Sequence, residues 1–147
     1  MALDFQLVID SAQPHVLADW WAETLGWDVE GTDEGFIRSM IDKGFATVED
    51  TVVHDGQLKW KTGAAINHPD GKESGRPRIL FQLVPEGKTV KNRLHLDLRP
   101  VAEASEMQLS DLEARGATFL WTGEEGPHAK WVTMADPEGN EFCVPTA

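Results

Sequence analysis

The sequence predicts an α+β fold: two βαβββ modules whose curved mixed sheets enclose a cavity, with helices on the outer faces. Three observations carry this. First, the chain repeats itself. Phe5-Gln6-Leu7 … Leu25-Gly26-Trp27 recurs as Leu94-His95-Leu96 … Arg115-Gly116-Ala117, at an offset of 89 to 90 residues. Second, Leu80-Phe81-Gln82-Leu83-Val84-Pro85 recurs as Glu141-Phe142-Cys143-Val144-Pro145. Third, each half reads as an alternating strand, a helix of 3.6-residue period and further alternating strands. At 147 residues the chain is long enough to bury a sizeable core. We read it as one domain, residues 1–147. Module one covers about 1–88 with an insertion at about 32–67, and module two about 89–147.

In module one, Leu3–Ile9 alternates, with Leu3, Phe5, Leu7 and Ile9 on the side expected to be buried. Pro14 stands near a first helical position, where its missing N–H costs little. Val16–Leu25 follows as a helix with Leu17, Trp20, Trp21, Thr24 and Leu25 inward, and Gly26 at its stop. Trp27–Glu30 begins a second strand. Asp33–Lys43 reads as a short helix with Phe36 and Met40 on its buried side, Ile37 a further candidate there, and Gly44 as its stop. Thr47–Val53 and Gln57–Thr62 read as strands around an Asp55-Gly56 turn. Asn67–Pro77 is a polar Gly/Pro loop. His54 and His68 sit beside turns, where histidines are expected to be solvated. Arg78–Val84 is a strand with Ile79, Phe81 and Leu83 on one face and Leu80, Gln82 and Val84 on the other.

Pro85–Asn92 connects the halves. In module two, Arg93–Arg99 alternates, with Leu94, Leu96 and Leu98 opposite Arg93, His95, Asp97 and Arg99. Glu103–Arg115 reads as a helix with Met107 or Gln108, Leu109 and Leu112 toward the core, stopped by Gly116. Ala117–Trp121 is a strand, Thr122–His128 a loop and Trp131–Ala135 a strand. Asp136-Pro-Glu-Gly-Asn140 is a turn, and Glu141–Val144 a final strand.

Composition narrows the functions. The formal charge is −12, from 25 acidic and 13 basic side chains, which argues against nucleic acid or an anionic membrane as partner. It would favour a cationic ligand, although acidity also serves solubility. No apolar run reaches the roughly 18 residues of a membrane span. The N-terminus lacks a basic region followed by an apolar one, and the one cysteine fits a reducing compartment, so the expected location is the cytoplasm.

Side-chain parity places Gln6, Gln82, His95 and Cys143 on the faces turned away from the helices, and so toward a shared cavity. Asp97 and Glu141 share those faces. Asp97 could orient His95, act as a base, or pair with Arg93 or Arg99, and we favour the ion pair. Trp131 stands on a strand where cavity and core are equally open to it. A single buried cysteine is most often inert packing.

The paired pattern, KNRLHLDLR, the helix-ending LGW and the terminal DPEGNEFCV resemble the vicinal oxygen chelate superfamily. Its members include glyoxalase I, extradiol dioxygenases and bleomycin resistance proteins. The resemblance covers nearly the whole chain outside about 32–67. It implies a metal-binding position at Gln6, Gln82, His95 and Cys143, where the metal enzymes carry His, Gln or Glu. Cys143 departs, standing where a Glu is usual. Neutral Gln oxygens and a thiol are a poor set for hard ions, and a Cys/His pair suits zinc only as thiolate. The expectation is therefore a small-molecule binder without a cofactor, similar to the bleomycin resistance proteins, forming a homodimer and sequestering a cationic or aromatic metabolite or antibiotic. The alternatives are a lyase or dioxygenase using Zn, Ni, Mn or Fe, with glyoxalase I activity itself not expected, and a metal-independent isomerase using Asp97 or Glu141 as catalytic base.

Overall fold

The computed structural model describes residues 1–100 and 109–146. It is a mixed α+β structure in two compact units, Met1–Gly87 and Lys88–Ala147. The expected helix residues 103–108 lie outside the described residues.

The first unit begins with strand β1 (Leu7–Ser11). Leu3 and Phe5, expected to be buried at its start, are exposed, because the strand begins only where Leu7 meets Ile79. Helix α1 (Pro14–Leu25) carries Pro14 in its first turn and ends at Gly26, whose φ of +66° makes the left-handed cap. Leu17, Trp20, Trp21 and Thr24 are all buried. Each large apolar side chain among them contributes roughly 2–3 kcal/mol by leaving water. Strand β2 (Asp28–Val29) follows. Helix α2 (Glu34–Asp42) is capped by the Asp33 carboxylate, which accepts from the Phe36 N–H at 2.9 Å. Its buried residue is Ile37. Phe36, expected inside, is half exposed.

A 3₁₀ turn at Val48–Asp50 replaces the start of the expected strand 47–53. Thr47 and Asp50 form a capping box there, offering the backbone a local partner in place of a ladder. Strands β3 (Thr51–His54) and β4 (Gln57–Trp60) then form a hairpin. Asp55 and Gly56 both take positive φ, +49° and +74°, as a two-residue primed turn requires. Strand β5 (Gly63–Asn67) lies inside the stretch expected as an insertion, yet it is central to the first sheet. Its composition, Gly-Ala-Ala-Ile-Asn, lacks the β-branched alternation that marks a strand. Strand β6 (Ile79–Leu83) completes the order β1-β6-β5-β2, with β1 parallel to β6 and the other pairs antiparallel. Helix α1 covers β5 and β6, over the fully buried Ile66 and Phe81.

The second unit repeats this plan. Strand β7 is only Leu96–Asp97, so Leu94 is exposed while Leu98 is buried. Helix α3 is described over Leu109–Ala114 and buries Leu112. Strand β8 (Thr118–Glu125) runs through 122–125, which were expected as loop. It pairs with β9 (Ala129–Ala135) down to Glu125 opposite Ala129. The closing strand β10 (Glu141–Pro145) lies between β7 and β9, giving the order β7-β10-β9-β8. As in the first unit, first and last strands are parallel neighbours. The turn before β10 is built on Asp136, which is buried. Its carboxylate accepts from the backbone N–H groups of Glu138 and Asn140, both at 2.9 Å. Gly139 takes φ +89° in the same turn.

Candidate functional site

Strand register decides which side chains meet. In the second unit Cys143 lies opposite Asp97 and opposite Thr133, and Pro145 opposite Trp131. His95, Asp97, Glu141, Cys143 and Trp131 therefore share one face of the second sheet. Trp121, opposite Thr133, joins them there. From the sequence alone Trp121, at the end of the strand Ala117–Trp121, is as open to cavity as to core, like Trp131, and its pairing with Thr133 decides between the two.

Three of these residues converge. One donor atom each from His95, Asp97 and Cys143 lies within 4.8 Å of the others. His95 Nε2 is 3.3 Å from Asp97 Oδ1, and Thr133 Oγ1 is 3.5 Å from Cys143 Sγ. Asp97 thus faces His95, and among the described residues it makes no ion pair with Arg93 or Arg99, contrary to the pairing favoured from sequence. Burial pushes the Cys143 thiol up, the Asp97 charge pushes it further, and the Thr133 contact opposes them.

Glu141 is held differently. Its carboxylate, 8 % exposed, accepts from Lys88 Nζ at 2.8 Å and from the Asn92 N–H at 3.1 Å. Burial opposes its charge, but Lys88 and the backbone N–H groups of Glu141 itself and of Asn92 outweigh burial and keep its pKa below the usual carboxylate range. A carboxylate so committed is a poor base and a poor metal ligand. Trp131 is half buried, with its indole lying directly over Gly123 of the paired strand. No side chain other than hydrogen fits at that glycine.

In the first unit the expected matching of residues changes. Ile9 lies opposite Phe81, and Leu96 lies opposite Phe142. With Phe81 and Phe142 as equivalents, Leu7-Val8-Ile9-Asp10 matches Leu94-His95-Leu96-Asp97. Val8, not Gln6, then corresponds to His95, while Asp10 matches Asp97 and Gln82 matches Cys143. Gln6 precedes the strand, and its Oε1 accepts from Arg78 Nη1 at 2.9 Å. At these matched positions the first unit therefore has Val8 and Gln82 in place of the imidazole and thiol that the second unit gathers.

What the first unit has is an open cleft of about 590 Å³. It is lined by Phe36, Trp60, Leu80, Glu30, Arg78 and Gln82, among others. Arg78 grips Glu30 with two bonds, Nε–Oε2 at 2.7 Å and Nη2–Oε1 at 3.0 Å. That fork holds the Glu30 carboxyl below its ordinary range, against the opposing effect of burial. Phe36 and Trp60 come from the stretch 32–67, so this stretch builds a wall of the cleft.

This topology, first strand parallel to last in each four-stranded sheet, with a polar face on each, is that of the vicinal oxygen chelate superfamily. The chain belongs to the glyoxalase-like domain family, which matches residues 6–145. Similar solved structures include a glyoxalase/bleomycin resistance protein/dioxygenase family enzyme from Burkholderia phytofirmans, at 15% identity and TM-score 0.57, covering 95% of this chain and 94% of that one. A possible glyoxalase from Bacillus cereus matches at 14% identity and TM-score 0.56, covering 99% and 100%. The oxidase ChaP-H2 matches at 11% identity and TM-score 0.56, covering 100% and 95%. At these identities the likeness is one of fold. No curated protein matches the chain. Among the described residues no helix is long and apolar enough to cross a membrane.

Proposed function

We propose that the protein binds a small organic molecule carrying an aromatic or cationic group in the cleft of its first unit, without a resident metal. The observation that carries this is the cleft itself. Its volume of about 590 Å³ lies in the range of small-molecule sites, and it combines apolar walls with a few fixed polar groups. Phe36 and Trp60 supply aromatic faces on which a planar or cationic group can stack. The formal charge of −12 supports a positively charged ligand. The donor chemistry supports the metal-free part: Val8 cannot ligate, Gln6 is engaged by Arg78, and Glu141 is engaged by Lys88. The expected homodimer belongs to this reading, supported by exposed Phe119 and Trp121 on an outermost strand, and light scattering tests it.

Titrating tryptophan fluorescence with a panel of cationic aromatic compounds, after chelator treatment, tests the proposal. We expect a saturable change that Leu80→Arg abolishes. Unchanged emission across the panel overturns it.

One observation favours a second reading. His95, Asp97 and Cys143 together offer nitrogen, oxygen and sulfur donors that suit a zinc-like ion better than magnesium. Held there, such an ion would supply Lewis-acid polarisation of a substrate with vicinal oxygens. Asp97 would orient His95, and Thr133 would hold the Cys143 sulfur. Stoichiometric Zn²⁺, Ni²⁺, Mn²⁺ or Fe²⁺ lost on His95→Ala, with ligand binding lost alongside, would put this reading ahead of the first.

A further inference from the structure

We infer that the protein carries a separate divalent-metal clip, formed by Asp19, His54 and Asp55, which ties the β3–β4 hairpin to helix α1. Asp19 lies on the helix, and His54 and Asp55 lie at the hairpin turn. One donor atom from each lies within 4.8 Å of the others. His54 Nε2 is 2.5 Å from Asp19 Oδ2 and 3.5 Å from Asp55 Oδ2. Both carboxylates therefore converge on one ring nitrogen. That nitrogen carries at most one hydrogen, which can satisfy only one of them. Among the described residues no lysine or arginine pairs with either carboxylate. The one ring can offset at most one of the two carboxylate charges, whereas a divalent ion between the three donors would offset both.

The surroundings hold the imidazole in place. His54 is only 18% exposed, not solvated as its turn position suggests. The His15 ring, one helical turn before Asp19, stacks on it at 5.4 Å between centroids. His15 Nε2 in turn bonds the Trp60 carbonyl at 2.8 Å, which fixes the stacking ring. One imidazole and two carboxylates suit a first-row divalent ion such as Zn²⁺, Mn²⁺ or Co²⁺, bound at about 2.0–2.2 Å with water completing the shell. Accommodating it requires Asp19 to retreat by about 0.5–1 Å from His54, because ligands of one such ion stand roughly 3 Å apart. Asp55 is well exposed, so its rotation is free. His15 and Trp60 also line the cleft. The clip would thus stiffen one wall of that cleft, although it rests on geometry independent of any ligand there.

The test is calorimetric titration of the chelator-treated full chain with Zn²⁺ and Mn²⁺, carried out in a His95→Ala background so that the His95–Asp97–Cys143 cluster cannot contribute. We expect one equivalent bound in that background, with affinity falling tenfold or more in Asp55→Asn and in Asp19→Asn. Asparagine tolerates the positive φ at position 55, so Asp55→Asn keeps the turn. Circular dichroism confirms the fold of each variant. Cobalt spectra give a second readout: bound Co²⁺ should show d–d bands without thiolate charge transfer. No uptake in the His95→Ala background overturns the proposal. Uptake that neither asparagine variant weakens, or a thiolate band in the cobalt spectrum, overturns it equally.

Discussion

Cys143 and Glu141 stand two residues apart on one strand face, yet their surroundings give them opposite characters. Glu141 is buried and held ionised by Lys88. Removing the partner with Lys88→Met leaves that charge uncompensated, which should cost about 3 kcal/mol at neutral pH in chemical denaturation. The folded pKa of Glu141 is depressed, so its contribution is present above the ordinary carboxylate range and disappears as pH falls through the lowered folded value. The gap between wild type and Lys88→Met should therefore narrow on acidification, and a gap constant from pH 7 to acid would refute the assignment. Cys143 has its thiol pushed up by burial. Its alkylation at neutral pH should be slower than that of a free cysteine, with the rate rising only above the usual thiol range. Alkylation at the free-cysteine rate would contradict this. At this scale the sequence was partly legible. Parity placed Cys143, His95 and Asp97 on one face, but it could not show that Lys88 reaches Glu141 across 53 residues. It also matched Gln6 to His95, because Phe5-Gln6-Leu7 and Leu94-His95-Leu96 look alike as strings. Only hydrogen-bond register shows that Val8 is the counterpart.

At the scale of elements, local chemistry was read best where one residue dictates the backbone. Gly26, the Asp55-Gly56 turn and Gly139 all take the positive φ their positions require. Strands were read less well at their ends, since pairing rather than alternation decides where a strand starts. Leu3, Phe5 and Leu94 alternate properly yet have no ladder and stay exposed. Two elements invite tests. Gly123 lies beneath the Trp131 indole, and a Cβ there would overlap the ring. Gly123→Val should destabilise by about 1–3 kcal/mol through forced displacement of that ring, visible as a changed tryptophan emission in the native state. The 136–140 turn depends on the Asp136 carboxylate, which is 2 % exposed and bonded to two backbone N–H groups. Asp136→Ala strands those donors and should lower stability by about 2 kcal/mol or more, measured by urea denaturation. A loss below about 0.5 kcal/mol would mean that water replaces the carboxylate there.

For the molecule as a whole, the repeat and the alternation were enough to reach the α+β class, while the family was reached through the resemblance that KNRLHLDLR, LGW and DPEGNEFCV carry. The cleft was not legible. Its wall combines Phe36 from α2 and Trp60 from β4 with Leu80 from β6, and no local pattern links residues so far apart. The global charge makes its own prediction. With a formal −12, association with a cationic ligand should be steered by a long-range field. Its rate should fall roughly tenfold as ionic strength rises and the field is screened, while that of a neutral analogue should not change. Stopped-flow fluorescence at several salt concentrations separates the two.

The pairing of first strand with last has a consequence for how the chain is made. As the polypeptide emerges during synthesis, β1 appears early but finds its parallel neighbour only when β6 follows, after the whole of α1, α2 and the hairpin. The β3–β4 hairpin, closed by two residues, needs no such wait and can form within microseconds. We expect the local hairpin and helices of the first unit to form before its sheet closes, because loop-closure entropy delays distant pairings. A nascent chain arrested before Ile79 has exited should hold its hairpin but leave Leu7–Ser11 open to protease, and one arrested well beyond Leu83 should protect it.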